Sequence, residues 1–114
     1  MKHEFSDALR ADPDRFELAR RAAAILDEAT RDTIFRPHAT WDFAADENDS
    51  LGLSIRGLGD IEITRAISVG ESENPRRLRW SVRRTWMAWL KESSDRSIKQ
   101  WMKEGAFPAE YTTA

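Results

Sequence analysis

The chain has 114 residues, no cysteine, 18 Lys/Arg against 20 Asp/Glu, and a formal net charge of −2. That length predicts one domain, large enough to bury about two-thirds of its unfolded surface without staples. The missing cysteines exclude disulfides and thiolate metal sites, and the longest apolar runs, Ala22–Leu26 and Trp86–Leu90, are far too short to span a bilayer.

The charge is unevenly spread. Residues 1–74 carry 9 Lys/Arg against 16 Asp/Glu, and residues 75–114 carry 9 against 4. Two readings follow. The halves attract each other within one fold, or the basic half faces an anionic partner. Met1–Asp7 has no apolar core of the kind a secretion signal needs, so a soluble, cytoplasmic protein is expected.

Residues 1–11 read as a short N-terminal arm, with Phe5 and Leu9 at helical spacing. Asp12-Pro13 is a helix start, and the first helix (residues 12–32) should run from Pro13 to about Thr30. Phe16, Ala19, Ala22, Ala23, Leu26 and Ala29 form its apolar stripe, widened by Ile25. Thr33-Ile34-Phe35 could extend it or begin an extended segment, and Arg36-Pro37-His38 ends the helical pattern.

Alternation then predicts three strands over residues 40–69. Trp41 and Phe43 oppose Thr40 and Asp42, Ala45–Ser50 is a polar hairpin loop, and Leu51, Leu53 and Ile55 alternate with polar or small residues. Gly57-Leu58-Gly59-Asp60 is a tight connection. Ile61, Ile63, Ile67 and Val69 share one side of the third strand, where Arg65 is the single polar residue, placed at an exposed end or a bulge. Gly70–Asn74 reads as a polar turn.

The C-terminal helices, residues 74–104, hold four of the five tryptophans. Asn74 is the cap and Pro75 the first helical residue. Leu78, Val82, Trp86, Trp89 and Leu90 fall on one side, and Trp80 and Met87 roughly opposite. Ser93-Ser94-Asp95 offers a second cap, so a break is expected there, followed by a shorter helix with Ile98, Trp101 and Met102 inward and Gly105 closing it. Phe107-Pro108 would fold back, within a tail of residues 105–114 that frays at Thr112–Ala114. The expected architecture is α+β, in the order α-β-β-β-α-α, with the helices covering one face of an antiparallel meander.

Catalytic patterns are not met. His3 and His38 are the only histidines and are not ligand-spaced, so no metal is expected. Asp46–Gly57 fails as a calcium loop, because Leu51 stands where glycine is required and Gly57 where the bidentate glutamate belongs. Gly57-Leu58-Gly59 opens no helix and lacks the third glycine of a dinucleotide site. His38 is the only plausible base for a serine or threonine nucleophile, and no Gly-x-Ser-x-Gly context exists. Asp60 and Glu62 share a strand face that reads as solvent-exposed. No catalytic, cofactor-binding or metal-binding residue is assigned, and a non-enzymatic role is expected.

Binding is the reading that survives. Trp80 and Met87, with Arg76, Arg77, Arg79, Arg83 and Arg84 around them, combine residue types enriched at protein interfaces. A regulatory or accessory module is expected, its partner another protein or a second copy. If Trp80 and Met87 instead lie under the first helix, that interface disappears. The alternative is RNA or DNA binding through the Arg76–Arg84 cluster, with Trp80 stacking on a base. The order helix, three strands, helix is shared with double-stranded RNA-binding domains, but their Lys-Lys-x-Ala-Lys run has no counterpart in Pro75–Val82, so no family is assigned. Glu71-Ser72-Glu73 and the low overall pI of 5.7 also weigh against phosphate.

Overall fold

The computed structural model describes the backbone of residues 1–33, 35–44, 47–57 and 61–104, and their side chains except those of 47–49, 69, 98 and 100–104. The elements are β1 (Lys2–Phe5), α1 (Asp7–Arg10), α2 (Pro13–Ala29), β2 (His38–Ala44), β3 (Glu47–Gly57), β4 (Ile61–Ile67), α3 (Val69–Glu73) and α4 (Pro75–Glu104). The class is α+β, as expected, but the sheet has four strands in the order β1-β2-β3-β4. The β2–β3–β4 part is the antiparallel meander, and β1 joins its edge in parallel with β2.

Strand alternation divides the sheet into two faces. Ala39, Trp41, Leu53, Ile55 and Ile67 are fully buried on one, beneath Ala19, Ala22 and Leu26 of α2 and Leu78, Val82, Trp86 and Trp89 of α4. Thr40, Asp42, Arg56, Glu62 and Thr64 face solvent on the other. The alanines of α2 keep its core stripe shallow, which lets the bulk come from tryptophan. Trp86 and Trp89 stack with ring centroids 5.3 Å apart, and Phe35 meets Trp89 edge-on at 5.9 Å.

The caps follow local chemistry. Asp12 accepts from the Arg15 N–H at the start of α2, and the Asn74 side-chain oxygen accepts from the Arg76 and Arg77 N–H groups at the start of α4.

Six expectations need correction. The arm at residues 1–11 is β1 plus the helical turn α1, and Leu9 is fully buried. It is anchored by a relay that links three elements: the Trp41 indole N–H donates to His3 Nδ1 at 3.0 Å, and His3 Nε2 meets Asp27 Oδ1 at 2.8 Å. The hairpin loop is shorter than Ala45–Ser50, because β3 begins at Glu47 and Glu47 pairs with Ala44 across a register shift. Val69 is not in the third strand. Ser68 caps a helical turn there, its Oγ accepting from the Glu71 N–H, so Gly70–Glu73 are helical rather than a plain turn. Arg65 sits at neither a strand end nor a bulge, since it pairs with Leu53 in an unbroken β3–β4 ladder.

The expected break at Ser93-Ser94-Asp95 is absent, and α4 is continuous over 30 residues, about 45 Å. Serines 93 and 97 point inward and are buried, and Ser97 Oγ donates to the Ser93 carbonyl within the helix. The Ser97 hydroxyl is thus taken up by the helix's own backbone, and Ser93 is buried inside the continuous helix rather than standing at a cap. Expectations for Ile34, the Leu58-Gly59-Asp60 connection, the inward side chains Ile98, Trp101 and Met102, and the tail with Gly105, Phe107-Pro108 and Thr112–Ala114 lie outside the described residues.

Candidate functional site

The face of α4 turned away from the sheet is set by helical periodicity. Residues 76, 80, 83 and 87 are four, three and four apart and so lie along one side. They are Arg76, Trp80, Arg83 and Met87. Their opposites, Leu78, Val82, Trp86 and Trp89, are at most 4% exposed, while Trp80 is 55% and Met87 58% exposed. Among the described residues these two are the exposed large hydrophobics. The possibility that they lie buried under the first helix is therefore removed.

A shallow hollow of about 430 Å³ is lined by Arg76, Arg79, Trp80, Arg83, Arg84 and Met87. Six of the seven residues singled out from sequence thus meet in one place. Arg77 is exposed but does not line the hollow. One contributor was not singled out as a binding residue. Arg65, from β4, brings its guanidinium to 5.4 Å from the Trp80 ring centroid, and Arg84 lies at 5.0 Å. The signal was present in the sequence, as the one charge on the apolar side of a strand. That strand is an edge, and a long side chain there reaches past the rim of the core.

The electrostatics of the face are lopsided. Arg79 pairs with Glu28 of α2 at 3.9 Å, both groups well exposed. Among the described residues no carboxylate lies within ion-pair distance of Arg65, Arg76, Arg83 or Arg84. The Nε of Arg65 is buried and has no hydrogen-bond partner among the described residues. Among the described residues Glu71 makes no ion pair with the cluster, and it accepts from Ser81 Oγ at 2.6 Å at the α3–α4 junction. Attraction between the acidic and basic halves accounts for Arg79 and leaves most of the basic face uncompensated.

Other groups are occupied structurally. His3 is held between Trp41 and Asp27. Its Nδ1 accepts from the indole, so in this arrangement Nε2 carries the proton and donates to the carboxylate. His38 lies in a cross-strand row with Arg56 and Glu62 on the open face, beside a hollow of about 580 Å³. Ser54 in that hollow already bonds Glu62 and Thr64. Among the described residues no three His, Asp or Glu side chains are grouped to hold a metal ion, and no helix is long and apolar enough to cross a membrane.

Set against known proteins, the chain matches no family model, no curated relative and no solved structure.

Proposed function

We propose that this chain is a non-enzymatic binding module, acting as an accessory or regulatory protein, and that the outward face of α4 is where its partner docks. The observation that carries this reading is the joint exposure of Trp80 and Met87 inside a ring of arginines. An exposed tryptophan loses the stabilisation its burial would bring, and interfaces are where such residues regain it. The partner is a protein rather than nucleic acid. Guanidinium groups already stand over the Trp80 ring, so a stacking base would have to displace them. A nucleic-acid partner is the second reading, favoured by the arginines themselves.

The test is affinity capture from the native host with the full chain and with Trp80→Ser/Met87→Ser, with and without nuclease. The proposal expects proteins that the wild-type chain retains and the folded double variant loses, insensitive to nuclease. Retention by both chains removes the α4 face, and nuclease-sensitive capture supports the second reading.

A further inference from the structure

Among the described residues the β4 strand is an edge of the sheet, with β3 on one side and no strand on the other. Among the described residues its outward N–H and C=O groups have no partner from the chain. Its middle is also incompletely covered on the helix side. Leu53 and Ile55 of β3 are fully buried, whereas their neighbours Arg65 and Ile63 on β4 are only partly so. The Trp80 ring with Arg84 stands beside this gap, through its contact with Arg65.

Building on the α4-face reading, we propose that β4 takes an extended, acidic segment of the partner as a fifth strand. Seven residues, Ile61–Ile67, offer about 23 Å of ladder, enough for a segment of similar length. Alternation then dictates the chemistry of the incoming side chains. A residue beside Ile63 would be apolar, completing the row Ala39–Ile55–Ile63. A residue beside Arg65, in the row Trp41–Leu53–Arg65, would be Asp or Glu, lying about 5 Å from Arg65 across the ladder and within reach of Arg84. The half-buried Arg65 guanidinium, with no carboxylate within ion-pair distance among the described residues, is the charge that carboxylate would meet. Arg65 also makes the edge selective, because an inward-pointing charge on an edge strand disfavours pairing with an apolar strand.

A second copy fits less well. An antiparallel β4–β4 pair centred on Thr64 sets Arg65 against Ile63 of the other copy and brings two basic α4 faces together.

The test uses the full chain, isotope-labelled, with two twelve-residue probe peptides, one repeating Thr-Val-Thr-Glu, which sets valine and glutamate by turns along one face, and one with lysine in place of each glutamate. The valine–glutamate peptide should slow amide exchange in β4 and shift the Trp80 indole resonance, and the valine–lysine peptide should do neither. Arg65→Gln should weaken binding about tenfold, the loss of one charge-assisted contact, with an unchanged circular dichroism spectrum. Equal binding of both peptides, unprotected β4 amides, or full affinity in Arg65→Gln overturns the inference. A peptide that shifts Trp80 without protecting β4 overturns strand addition while sparing the α4 face. Protection of β4 by self-association, seen by sedimentation without peptide, assigns the edge to a second copy and also overturns it.

Discussion

Two tryptophans nine positions apart on α4 are expected to respond to truncation with costs of very different size. Trp89 is fully buried, stacked on Trp86 at 5.3 Å and edge-on to Phe35 at 5.9 Å. A buried indole removes about 150–250 Å² from water, which at about 25 cal/mol per Å² bounds its contribution near 4–6 kcal/mol. Large-to-small core substitutions of aromatics cost about 3–5 kcal/mol, so Trp89→Ala should fall in that range. Set against a total stability of about 5–15 kcal/mol, that brings the domain close to unfolding at 25 °C. Trp80→Ala loses only contacts of a half-exposed ring with two guanidinium groups, about 0.5–1 kcal/mol each at such sites. Trp89→Phe separates packing from polarity. The Trp89 indole N–H is buried without a partner among the described residues, so phenylalanine loses volume but relieves an unpaired donor, and the net cost should stay below about 2 kcal/mol. Urea denaturation followed by far-UV circular dichroism measures all three. Equal costs at positions 80 and 89, or a larger cost at 80, would refute the orientation of α4.

Three further substitutions probe the joints. Asn74→Ala removes the oxygen that caps two N–H groups at the start of α4 and should cost about 1 kcal/mol in the same assay. His3→Ala strips the acceptor from the buried Trp41 N–H, costing about 1–3 kcal/mol, with faster amide exchange in β1 as its signature. Ser93→Ala deletes a buried hydroxyl that has no partner among the described residues and substitutes a better helix former, so stability should rise by about 0.5–1 kcal/mol; a loss would show that Ser93 Oγ is bonded in solution.

The parts of the fold that were legible in the sequence are those governed by local period. The stripes of α2 and α4, the Asp12 and Asn74 caps and the alternation of β2–β4 all follow from residues within a few positions of each other. That Trp80 and Met87 lie opposite the core stripe of α4 was legible for the same reason, but whether α2 covers them was not, because that depends on how two distant helices pack. What was not legible depends on partners far along the chain. Lys2–Phe5 is four residues of mixed polarity, and it becomes a strand only because β2, more than thirty residues later, supplies the ladder and Trp41 supplies a donor for His3. Ser93-Ser94-Asp95 has the composition of a cap, and tertiary burial of Ser93 and Ser97 overrides it. Arg65 was visible as an oddity, but its contact with Trp80 needs the angle at which α4 crosses the sheet edge.

The binding role of the α4 face is tested most directly by placing a photoreactive benzoylphenylalanine at Met87, and separately at the exposed Arg21 on α2, and irradiating in the native host. The account predicts a discrete covalent adduct with another protein from position 87 and none from position 21. Adducts of equal yield from both positions, or none from 87, would contradict it.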